Sequence, residues 1–130
     1  MIPIPLKIHD GQLRKIEIPG DSTITLGFET LDKQAVSLTL EGVVAFRCDG
    51  VLEGNIINSV WQIVQPTLDD LARVTCGESR PSRCTPPTER DRGFLQGKLD
   101  AVRRGELIFL TMESSYGCVM DAVCREFRTG

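Results

Sequence analysis

One hundred and thirty residues, 41% hydrophobic and 25% charged, suit a single globular domain with its own core rather than a disordered chain. A net charge of −3 and a pI near 5.2 count against nucleic acid as the partner, because phosphate neutralisation needs a clustered basic surface. No run of about 18 apolar residues is present, which counts against a helical membrane span.

Charge is segregated along the chain. Residues 1–72 hold five Lys/Arg against ten Asp/Glu, residues 73–104 hold eight against four, and the remainder two against four. The basic middle third reads either as a solvated loop and helix or as a contact surface for an acidic partner. Two prolines and no charged leader at the start of the sequence make a signal peptide unexpected here, and five cysteines, an odd number, are expected as free thiols in a reducing cytoplasm.

In chain order, Pro3 and Pro5 favour an extended start, and His9-Asp10-Gly11 a turn. Leu13–Ile18 reads as a strand with Ile16 and Ile18 on one face. Pro19-Gly20-Asp21-Ser22 turns the chain. Thr23–Glu29 alternates with Ile24, Leu26 and Phe28 inward, and Ala35–Glu41 with Val36, Leu38 and Leu40 on one side. Gly42 marks a bulge or tight turn, after which Val44, Phe46 and Cys48 form the next inward set. The connection Asp49-Gly50-Val51-Leu52-Glu53-Gly54-Asn55 leads to Ile56–Val64, apolar on both faces, with Ile57, Trp61 and Ile63 on one and Ile56, Val60 and Val64 on the other. That pattern predicts a central strand, with Gly54-Asn55 as a turn pair able to take positive φ.

Pro66–Ala72 predicts a short helix capped by Thr67. Cys76–Pro87, rich in proline and without periodicity, is expected to be a mobile loop. Thr88–Arg104 predicts the long helix, with Thr88 and Asp91 at its start, Phe94, Leu95, Leu99 and Val102 on one face and Gly105 as its left-handed cap. Glu106–Glu113 reads as a second strand apolar on both faces. Cys118–Phe127 fits a strand or a helix, the strand being preferred.

The expected fold is therefore α+β, mainly β: one domain over residues 1–130, with a largely antiparallel six- or seven-stranded sheet packed with one long and one short helix. An all-β sandwich with a helical insertion is the alternative.

Chemistry is sparsely signalled. His9-Asp10 has the form of the His-Asp dyad of metal-dependent phosphohydrolases, but those need further histidines as ligands, and one histidine cannot build a multi-histidine site. Cys76/Cys84 and Cys118/Cys124 lack the close C-x2-C pairs of structural zinc, so neither metal nor cofactor is expected. Cys118 and Cys124 read as small core hydrophobes, whereas Arg80 and Arg83 could lower the thiol pKa in the loop that carries Cys76 and Cys84. The nucleotide-binding glycine motifs and the G-x-S-x-G elbow are missing.

Four short motifs, His9-Asp10-x-x-Leu13-x-x-Ile16, Leu40-x-Gly42-Val43, Gly54-Asn55-Ile56-Ile57 and Ser115-Tyr116-Gly117, resemble those of a set of small, mostly uncharacterised bacterial proteins, some of them similar to immunity proteins of toxin–immunity systems. The resemblance implies a bacterial cytosolic protein that binds a toxin-like protein partner, and it supplies no catalytic residues. Tyr116 is expected to lay its ring over the core. The binding candidates are His9, Asp10, Asp49, Glu53, Asn55, Arg80, Arg83 and Tyr116. A small-ligand site or enzyme built on His9 and Asp10, and a structural homo-oligomer, stand as alternative functions.

Overall fold

The computed structural model describes residues 1–52, 54–76 and 89–130. Nine strands and two helices follow in the order β1 (Ile2–Pro3), β2 (Gly11–Gly20), β3 (Thr23–Glu29), β4 (Ala35–Glu41), β5 (Ala45–Asp49), β6 (Ile56–Ile63), α1 (Leu68–Cys76), α2 (Glu89–Arg103), β7 (Ile108–Tyr116), β8 (Val119–Cys124) and β9 (Glu126–Thr129). All strand pairs are antiparallel. The fold is the expected mainly-β α+β domain. The strand count exceeds six or seven because β1 is an extra edge piece and the strand expected over Cys118–Phe127 breaks into β8 and β9, much as β4 and β5 break at Gly42.

Those two breaks close the sheet. The pairing path runs β5-β8-β7-β6-β2-β3-β4-β9. β4 leads directly into β5 and β8 into β9, so the two ends of the path are halves of the same ladder. Glu41 pairs with Glu126 and Ala45 with Val123, leaving three residues, 42–44, opposite two, 124 and 125. The one extra residue is a β-bulge, and Gly42, at φ 64°, sits in it in the left-handed region that glycine tolerates best. Arg125 N–H donates to Glu41 O and Val44 N–H to Val123 O, carrying the ladder through the bend. The result is a partly open antiparallel barrel.

Leu26, Leu38, Leu40, Ile57, Leu110, Met112, Met120 and Cys124 fill its interior. A second cluster lies outside, where Phe109 and Val123 of β7 and β8 meet Leu71 and Val74 of α1 and Leu95, Leu99 and Val102 of α2. β7 is thus apolar on both faces because one face looks into the barrel and the other lies under the helices. Cys118 and Cys124 are buried as small hydrophobes.

Local signals explain the helix ends. Thr67 Oγ1 accepts from Asp70 N–H at 3.1 Å and Asp70 Oδ2 accepts from Thr67 N–H at 2.9 Å, a reciprocal capping box for α1. At the end of α2, Gly105 has φ 81°. Glu106 N–H reaches Ala101 O and Gly105 N–H reaches Val102 O, the paired bonds of a Schellman cap. Of the loop expected over Cys76–Pro87, Cys76 instead closes α1, which runs four residues past the expected Ala72; the rest of that loop and Thr88 lie outside the described residues.

Several facial assignments change. Ile57 and Val60 both face the core, because the β6–β7 register shifts between Ile57 and Ser59 and reverses the alternation there. Ile16 and Ile18 are exposed, since β6 covers β2 only at its first residues. Val44 is exposed at the bulge, and Phe94 stands in solvent with Lys98 Nζ 4.6 Å over its ring.

Candidate functional site

Register brings two connections together at one rim of the barrel. Asp49 pairs with Val119 and Ile56 with Tyr116, so the β5–β6 connection lies against the β7–β8 turn. Asn55 fastens them. Its buried Oδ1 accepts from Leu52 N–H at 2.7 Å and from Cys118 N–H at 3.2 Å, while its Nδ2 donates to Leu52 O at 2.6 Å. A Cβ at Gly117, which has φ 92°, would fall 2.4 Å from that Oδ1, so the turn needs glycine. Asn55 is therefore a structural latch whose side chain is spent inside the rim. The left-handed residues here are Gly50 and Gly117.

The latch leaves four large apolar side chains outside: Val51, Leu52, Val119 and Tyr116, the last 56% exposed rather than laid over the core. Beside them opens a pocket of about 500 Å³ whose charged walls are Arg47, Asp49, Arg73 and Asp121. Asp121, only 2% exposed, projects from β8 toward α1 and holds Arg73 Nε at 3.4 Å and Arg47 Nη1 at 4.0 Å. Arg47 also pairs with Asp49, and Arg73 with Asp70 at 3.5 Å. The carboxylate thus serves two guanidinium groups from two elements, and its Oδ1 has no hydrogen-bond donor among the described residues. Arg47 and Asp49 do face out of the barrel, but α1 covers Arg47.

Inside the rim, Cys48 at the end of β5 neighbours Cys118 of the β7–β8 turn, and the two thiols perturb each other through hydrogen bonding. The bond and burial hold the Cys48 thiol far above its ordinary range, and the same bond lowers that of Cys118. Cys124 is pushed up to about 12, chiefly by burial. Cys48, Cys118 and Cys124 are free thiols.

Of the candidates read from the sequence, Asp49, Asn55 and Tyr116 meet at this rim. His9 and Asp10 do not line its pocket. His9 is 78% exposed in its side chain and its partner is its own neighbour, with Nε2 3.5 Å from Asp10 Oδ2. Glu53, Arg80 and Arg83 lie outside the described residues. Sequence reasoning missed Asp121, which stood in a segment of poor alternation, and Arg73, which lay just past the expected end of the short helix at Ala72 but belongs to α1. A lone Asp between Met120 and Val123 was the available signal. Among the described residues no cluster of three or more His, Cys, Asp or Glu could hold a metal ion, and no helix is long and apolar enough to cross a membrane.

The architecture is that of a partly open antiparallel barrel with a two-helix outer layer and an apolar rim beside an Arg–Asp pocket. Compared with family models, with curated proteins and with solved structures, the chain matches none of them.

Proposed function

We propose that this chain is a non-enzymatic protein-binding module, immunity-like in role and working in the cytoplasm, and that it engages a toxin-like protein through the Asp49–Leu52 and Tyr116–Val119 rim. The observation that carries the reading is the exposure of Val51, Leu52, Tyr116 and Val119 on connections that Asn55 ties together by hydrogen bonds. Apolar side chains on a pre-ordered rim lose little entropy on docking, and an aromatic residue among them is typical of an energetic anchor. Exposed Asp49 and the chain's acidic balance suit a partner with basic residues around an apolar contact. The position of His9, solvated and away from the pocket, lends no weight to a catalytic reading.

The test is affinity capture from native lysate with wild type, Leu52→Asp and Val119→Asp side by side. A stoichiometric polypeptide should be retained by wild type and weakened about tenfold or more by either substitution, with far-UV circular dichroism unchanged. Retention of no polypeptide, or equal retention by all three, would overturn the proposal.

A further inference from the structure

A different edge of the barrel carries its own information. β2 pairs with β3 along most of its length, but with β6 only at Gly11 and Gln12, and the last backbone bond on that side is Leu13 N–H to Asn55 O. From Arg14 to Pro19 the far edge of β2 has no backbone partner among the described residues. A groove of about 340 Å³ separates this edge from Val51 and Leu52. Ile16 and Ile18 are exposed along the β2 edge, Ile18 at 71%. An open edge with exposed aliphatic residues is a template for another strand.

We infer that the occupant is β2 of a second copy of this chain, paired antiparallel about a two-fold axis at Ile16. The charges select this arrangement. An axis perpendicular to the sheet pairs residues on the same face, so the axis must pass through a residue. Centred on Ile16, the ladder sets Ile16 against the partner's Ile16, and Lys15 against the partner's Glu17, twice by symmetry. Centred on Glu17, it sets two carboxylates against each other. Centred on Ile18, it sets Glu17 against the partner's Pro19 and forfeits both Lys15–Glu17 pairs. Within one chain Lys15 Nζ already lies 2.6 Å from Glu17 Oε1, so both side chains project on the same face and a second copy converts one pair into a four-charge cluster. Ile16 and Ile18 become covered on the opposite face.

The pairing strand is β2 itself, although the groove beside it is walled by Val51 and Leu52 of the rim; the variants that test the dimer sit on β2 alone, so its failure is distinguishable from failure of the partner reading. Sedimentation velocity over a concentration series tests it. Wild type should show a monomer–dimer equilibrium. Lys15→Glu and Glu17→Lys should each weaken it about tenfold or more, since two attractive cross-strand pairs become repulsive. The Lys15→Glu/Glu17→Lys double variant should restore it, and mixing the two single variants should give a heterodimer. Both side chains are solvent-exposed, so the folds should survive; as a second measurement, Ile16→Cys on the axis should crosslink two copies under mild oxidation. A wild type that stays monomeric throughout, a dimer indifferent to the single swaps, or a double variant that fails to recover would each overturn the inference.

Discussion

Glu126 and Glu41 face each other directly across β4 and β9, and like charges in that position repel. The neighbouring Glu41 carboxyl, by hydrogen bond and by charge, raises the Glu126 pKa above its ordinary 4.5, with Arg128 acting the other way. A carboxyl whose folded pKa is raised contributes stability when protonated and loses that contribution as pH rises through the folded pKa. Glu126→Gln should therefore melt slightly higher than wild type at pH 7. The gain should shrink to nothing below the ordinary carboxylate range, which a series of thermal melts from pH 7 to acid would check. Single residues of this kind were poorly legible in the sequence. Asn55 reads as a turn residue from its neighbours, yet its actual work, two buried acceptor bonds and one donor bond, depends on Cys118, 63 residues away.

Elements were legible where their causes are local. The Thr67–Asp70 cap, the Gly105 terminus and the inward Ile24, Leu26 and Phe28 all follow from residues within a few positions of each other. Closure of the barrel was not legible, because it depends on β9, four residues long, finding β4 at the other end of the path. Only Gly42 hinted at it. Its bulge makes a testable point. A Cβ there would lie 2.8 Å from the Arg125 side chain, at a φ that β-carbon-bearing residues disfavour. Gly42→Ala should cost about 1–3 kcal/mol in urea unfolding, whereas Gly54→Ala, with open space around it, should cost under about 1 kcal/mol. Equal costs would mean that the bulge does not hold the ladder together.

At the scale of the molecule, two layers must be held in one orientation, and most of the contact between them is non-directional packing of Phe109 and Val123 beneath α1 and α2. Asp121 is the directional part. It is nearly fully buried on the barrel side, and it meets Arg73 from the helix and Arg47 from β5. Removing one member of a buried charged group leaves the others desolvated without compensation, which costs more than the intact group contributes. Arg73 and Arg47 keep Asp70 and Asp49, which lowers that cost. Asp121→Asn, which keeps the volume and removes the charge, should therefore destabilise the fold by about 2–4 kcal/mol. If the cost arises from orienting α1, a double-mutant cycle with Arg73→Met should show a coupling of about 1 kcal/mol or more. Amide exchange should then quicken in α1 before it quickens in β7 and β8, because the barrel interior is packed independently of the outer cluster. Uniform quickening across both layers would instead make Asp121 a general stabiliser of β8, with the helix held by its apolar face alone.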